Sequence, residues 1–170
     1  MRSSLISFVV FAAVAIGFAD AIAQPADCPV TRGRDVGEVG NDALKTFPYP
    51  DGKITFRPGG AGFVDRDGSL GIKFAWFRHA TGKLQVGGKR LDGEAAPARA
   101  YIYDYPEPGF QPIYLVFPTP GCWEITGVVG DAVDAPVTFI VLVEKIGDGP
   151  NWRFQGLESG WRVSSRSVGG

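Results

Sequence analysis

A chain of 170 residues, 45% hydrophobic and 21% charged, is one globular domain's worth of sequence, long enough for a core and too apolar for disorder. Its formal net charge of -1 offers no field to draw in nucleic acid or an anionic membrane, so those partner classes are set aside. The 24 glycines and 13 prolines, spread between short apolar runs, imply frequent turns and an all-β protein rather than a helical one.

The first residues have the form of an export signal. Arg2 and the amino terminus make a basic start, "LISFVVFAAVAIGF" is an apolar core, and Ala21-Ile22-Ala23 ends it with small residues at both recognition positions. Residues 1–23 are therefore expected to be a signal peptide, with the mature chain starting near Gln24 and located in the periplasm or secreted. The alternative is an uncleaved anchor, for which the apolar run is short. Lipid attachment at Cys28 is disfavoured, because Pro25, Ala26 and Asp27 precede it instead of a small apolar triplet. Export changes how the two cysteines read. With no CxxC spacing, Cys28 and Cys122 are expected to pair as a disulfide in an oxidising compartment. The alternative, a reactive thiol, has no histidine nearby in sequence, although Arg32 and Arg34 follow Cys28.

Residues 24–52 are rich in Gly, Pro and charge and lack a firm period; they read as an N-terminal extension that wraps the domain through Cys28. The regular part spans 53–145. "KITF" is a short strand stopped by "RPGGAG". "LGIKFAWFR" follows, with Leu70, Ile72, Phe74 and Trp76 on one face and Lys73 and Ala75 on the other. In "KLQVGGKRL", Leu91 has the opposite parity from Leu84, and Gly87-Gly88 is expected to form a bulge. Then come "ARAYIYDY", a Pro-rich link "PEPGFQP", and "IYLVF". The stretch "PTPG" turns the chain, since proline presets the turn and cannot donate to a ladder. "CWEITGVV" sends Trp123 into the core and Cys122 the opposite way, where it can hold the extension. "GDAVDAP" makes a hairpin, and "VTFIVLVE", apolar on both faces, is expected to be covered on both sides. About seven strands with frequent turns outline an immunoglobulin-like antiparallel β-sandwich. Residues 146–170 lose the period and form a C-terminal tail.

Taken together, "DGSLGIKFAWFR", "GKLQVGGKRLDG" and "GFQPIYLVFPTPGCWEITGVVGD…VTFIVLVE" resemble a group of small exported bacterial proteins with an immunoglobulin-like sandwich, over about Gly62 to Glu144. The resemblance implies fold and location and carries over no catalytic residue. "FAWF" and the inserted "AVDAP" depart from its pattern.

Candidates for chemistry are few. His79, the single histidine, reads as a strand-end surface residue and cannot by itself build a zinc or copper site. A triad of Ser69 with His79 is formally open, but there is no GxSxG elbow. "DRDGS", Asp65 to Ser69, looks like the start of a calcium loop, yet an apolar strand begins at Leu70, which favours a plain Asp-Gly turn. Asp104 and Glu107 sit near aromatic residues, but sugar hydrolysis needs two acids held a fixed distance apart in a cleft, which nothing in the sequence shows, so hydrolase activity is disfavoured. The densest polar-aromatic stretch is "YIYDYPEPGFQPIY". There Tyr101, Tyr103 and Tyr105 share parity opposite Ile102, and with Ile102 in the core they line an outer face able to stack on a sugar or a partner protein. The blander and preferred account has them packed under the extension or under Trp152 and Trp161 of the tail. The expected role is thus a non-enzymatic exported domain in envelope structure or protein interaction, with an envelope protein as partner. The alternative is a carbohydrate-binding module that takes a polysaccharide on Tyr101, Tyr103 and Tyr105. No cofactor and no metal are expected.

Overall fold

The computed structural model describes residues 28–32, 37–130, 135–154 and 161–165. In chain order its strands are β1 (Val39–Gly40), β2 (Leu44–Thr46), β3 (Lys53–Phe56), β4 (Phe63–Val64), β5 (Leu70–Arg78), β6 (Leu84–Arg90), β7 (Arg99–Tyr103), β8 (Gly109–Phe117), β9 (Gly121–Val129), β10 (Val137–Lys145) and β11 (Trp161–Ser164). No helix occurs among the described residues. A seven-stranded sheet has the order β1-β2-β5-β8-β7-β11, with β4 also on β5, and a four-stranded sheet has the order β3-β10-β9-β6. Neighbouring strands are antiparallel except β3 and β10, which run parallel with Ile54 opposite Val143. The protein is an all-β, two-sheet sandwich.

Alternation explains the core. Leu70, Ile72, Phe74 and Trp76 of β5 meet Phe139, Val141 and Val143 of β10 and Trp123 and Ile125 of β9, all buried between the sheets. Each such aliphatic side chain contributes roughly 1.5–3 kcal/mol on burial. Phe74 stacks on Phe139 with ring centroids 5.5 Å apart and planes within 7°. Across from them Gly127 carries no side chain, because a Cβ there would lie 2.4 Å from the Trp76 indole. Trp123 fills the end of this core: its Nε1 donates to the Thr119 carbonyl at 3.1 Å, and its ring meets Phe117 at 5.8 Å. The turn "PTPG" thereby both ends β8 and supplies the acceptor that a buried indole needs.

Cys122, facing out of β9, is bonded to Cys28 with Cα atoms 5.6 Å apart. This pins residues 28–32 along β10, where the Thr31 amide donates to the Ile140 carbonyl at 2.8 Å and the Ile140 amide donates to Thr31 Oγ1 at 2.9 Å. The outer face of β10 is therefore covered only in part: Ile140 and Leu142 are half-buried, not enclosed as the apolar run implied.

The seven strands expected from alternation are β3 and β5 to β10. Four short ones are additional. β1 and β2 come from the extension, β4 precedes β5, and β11 comes from the tail to pair with β7. Two expectations are corrected. Gly87-Gly88 forms no bulge: the β6–β9 register runs unbroken from Leu84–Val129 to Arg90–Trp123, and Leu91 lies past the strand, exposed. A Cβ on Gly88 would instead sit 2.6 Å from the Glu124 carbonyl oxygen, so close packing explains that glycine. The link "PEPGFQP" ends inside β8, where Pro112 pairs with Ala75. The β7–β8 ladder stops just short of it, at Ile102–Ile113, and Gln111 Nε2 donates to the Tyr103 carbonyl at 2.8 Å. Residues 1–27 and most of the "AVDAP" insertion lie outside the described residues. No described helix is long and apolar enough to cross a membrane.

Candidate binding face

The outward parity of β5 carries Gly71, Lys73, Ala75 and Phe77, and strand pairing sets beside them Tyr114, Pro112 and Phe110 of β8 and then Tyr101 of β7. The outer face of the large sheet is therefore aromatic along its whole length, in two halves of different fate.

One half is roofed by the chain itself. Val64 exchanges backbone hydrogen bonds with the segment that returns after β10: the Val64 amide donates to the Trp152 carbonyl and the Phe154 amide to the Val64 carbonyl, both at 2.9 Å. The Phe154 ring then lies 4.9 Å from Phe63 and 5.3 Å from Tyr101, while Trp152 meets Phe63 edge-on at 5.1 Å. Tyr101 is buried here, and its hydroxyl donates to Asp65 Oδ2 at 2.5 Å. Burial, then the Asp65 hydrogen bond, raise the Tyr101 pKa above the ordinary phenol value. Arg99 Nη2 bridges Asp65 Oδ2 at 2.8 Å and Asp67 Oδ2 at 2.7 Å. Burial opposes ionisation of Asp67, but hydrogen bonds from the Ser69 amide and hydroxyl and the Arg99 charge outweigh it and hold the carboxyl below its usual range. In the "DRDGS" turn, then, an internal guanidinium bridges the two carboxylates.

The other half is open. Phe110 is 54% exposed, and Phe47, Tyr103 and Tyr105 are 36–40% exposed. Phe47 meets Phe77 at 5.5 Å, Phe77 meets Phe110 at 5.2 Å, and Tyr103 meets Tyr105 at 5.3 Å, with interplanar angles of 79°, 57° and 65°. Beyond Tyr105 a pocket of about 310 Å³ is lined by Gly82, Lys83, Asp104, Tyr105 and Pro106. The loops around it are pinned by Arg78, which is 2% exposed and donates to the carbonyls of Gly82, Tyr105 and Glu107. Burial, the main influence, lowers the Arg78 pKa. Asp104 pairs with Arg162 at 2.8 Å and Lys83 at 3.7 Å.

Of the residues singled out by sequence, Tyr103 and Tyr105 lie together in the open half, while Tyr101, on the same face, is under Phe154. Ser69 and His79 flank the nine-residue β5 at opposite ends, roughly 30 Å apart at strand rise, so they do not meet. His79 is exposed. Among the described residues no cluster of three or more His, Cys, Asp or Glu could hold a metal ion. Phe47, Phe77 and Arg78 were missed. The signal for Phe77 was its odd parity in "FAWF"; Phe47 had none, since β2 is too short to show a period. Set against known proteins, the chain matches no protein-family model, no curated protein and no solved structure.

Proposed function

We propose that this chain is an exported immunoglobulin-like domain that works by protein–protein contact in the cell envelope, using the open aromatic row of the large sheet and performing no chemistry. The observation that carries this role is that row: Phe47, Phe110, Tyr103 and Tyr105 stay 36–54% exposed beside rings of the same face that the chain does cover. Export is supported by the leader-like start and by the Cys28–Cys122 bond, which persists in oxidising compartments. The immunoglobulin-like assignment is supported by strand order: β5-β8-β7 lie in one sheet and β3-β10-β9-β6 in the other, with short strands added at the edges. Ring planes tilted by 57–79° offer interlocking knobs rather than the flat platform on which a sugar ring stacks, which favours a protein partner.

The second reading, a polysaccharide site, is favoured by one feature: Tyr105 walls a pocket with Lys83 and Asp104, an aromatic face beside hydrogen-bonding groups. Two experiments separate them. Immobilised mature domain should capture from envelope extract a protein, a second copy of this chain included, that the Phe110→Asp variant fails to capture; equal capture by both would remove the aromatic row from the role. Fluorescence titration with polysaccharides should give no quenching, whereas quenching abolished by Tyr103→Ala would establish the sugar site instead.

A further inference from the structure

We infer that the partner of the open aromatic face is a second copy of this chain, packed face to face about a two-fold axis; this rests on the contact role proposed above and names its partner. The layout of the face is self-complementary. β5 and β8 are its central strands, and Phe77 stands directly opposite Phe110 between them. Phe47 follows β2 on one side, and Tyr103 and Tyr105 belong to the β7 side. A two-fold axis near the Phe77–Phe110 pair sets the Phe47 side of each copy on the tyrosine side of the other, as an isologous interface requires. The tilted rings then interdigitate, with the two sheets about 10 Å apart.

Charge agrees with this arrangement. The β2 flank carries Lys45 paired with Glu38 at 2.9 Å, and the β7 flank carries Asp104 paired with Arg162 at 2.8 Å and Lys83 at 3.7 Å. Each flank bears both signs, so the flanks that meet across the axis do not repel, and a chain of net charge -1 has little long-range self-repulsion. A strongly one-signed partner gains nothing from such flanks. Area agrees as well. With about 200 Å² for a fully exposed aromatic, Phe47, Tyr103, Tyr105 and Phe110 leave roughly 340 Å² of ring surface open. A stable interface takes about 800 Å² per partner, a little over half of it apolar, so the rings supply most of the apolar centre and the flanks the polar rim.

The test is the mass of the mature chain by sedimentation and light scattering, from about 1 to about 100 μM, which spans and exceeds the micromolar Kd at the weak end for interfaces of this size. The expected result is twice the monomer mass, reduced to one by Phe110→Asp and independently by Tyr105→Arg in the loop just past β7. Leu91→Asp, exposed at the far end of β6, should leave the dimer intact. Circular dichroism identifies any variant that fails to fold, and the other then decides. Wild-type protein that stays monomeric, or a dimer that survives both substitutions, overturns the second-copy inference. A monomer that captures an envelope protein through Phe110 overturns it while leaving the contact role standing. A monomer that captures nothing sinks both.

Discussion

Single side chains show how tightly the two sheets are fitted. Trp123 is fully buried and its indole N–H is satisfied by Thr119, so Trp123→Ala removes both a large packing volume and the partner of a carbonyl. We expect a loss of about 3–5 kcal/mol, read as a lower urea midpoint with an unchanged slope. Gly127→Ala tests the opposite fault. The Trp76 indole is rigid and enclosed, so one added methyl at 2.4 Å must displace it, costing about 1–3 kcal/mol in the same assay. Asp67 supplies a pH dependence. Its folded pKa is depressed, so its contribution to stability is complete above about pH 4, the unfolded value, and is lost as pH falls through the folded value. Urea midpoints measured from pH 7 downward should therefore differ between wild type and Asp67→Asn near neutrality and converge in acid. The difference should be small, because the Asp67 side chain is 54% exposed and its ion pair is screened. A gap that widened on acidification would contradict the assigned direction.

Whole strands and segments divide by length. Six of the seven expected strands were legible because five to nine residues of alternation reveal a period, and the four-residue β3 because Ile54 and Phe56 alternate with Lys53 and Thr55 just before the "RPGGAG" stop, whereas β1, β2, β4 and β11 have two to four residues and show none. Those short pieces nevertheless manage the edges. The open edge of β6 is sealed by the neighbouring β7–β11 edge of the large sheet: Arg162 Nη2 donates to the Leu84 carbonyl at 2.7 Å, Ser164 Oγ accepts from the Val86 amide at 3.4 Å, and Gly88 and Ala98 exchange hydrogen bonds. The 28–32 segment is hydrogen-bonded to Ile140 of β10 and tied to β9 by the disulfide, which closes 94 residues of chain. Its loss in a Cys28→Ser, Cys122→Ser variant should cost up to about 4–5 kcal/mol by loop-closure entropy. Hydrogen exchange gives a local check. The Ile140 amide, bonded to Thr31, should lose protection first in that variant, while amides of the central β9 keep theirs. Unchanged exchange at Ile140 would mean that the segment stays in place without its covalent tie.

The molecule as a whole is built from distant partners. β3 pairs with β10 in parallel, joining the first and last of the seven expected strands, and β2 and β11, from the N-terminal extension and the C-terminal tail, lie on opposite sides of one sheet. Contacts of this span require loop closure before they stabilise anything, so folding of the disulfide-intact domain should take milliseconds to seconds, not microseconds. Stopped-flow refolding followed by indole emission checks this, and a microsecond phase carrying the full amplitude would contradict it. Much of the candidate site was legible as well, but unevenly. The sequence singles out Tyr103 and Tyr105 in "YIYDY" but favours packing them under the extension or the tail, whereas both stay partly exposed, and it does not single out Phe77. Arg78 could not be picked out as the pin of the pocket loops, because the carbonyls it holds belong to two separate loops, Gly82 in one and Tyr105 and Glu107 in the other.

Residue order alone was enough to establish the strand class, the inward faces of β5, β6 and β9, and the burial of Trp123 beyond its proline turn. All three follow from alternation and turn chemistry, which depend only on near neighbours in the chain. It could not establish which outward aromatics remain in water. Tyr101 and Tyr103 lie two residues apart with the same parity, yet Phe154 stacks on the first while the second stays 38% exposed. That difference depends on where a remote segment comes back to rest, and such long-range placement is settled by competition between contacts across the whole fold, which no local period records.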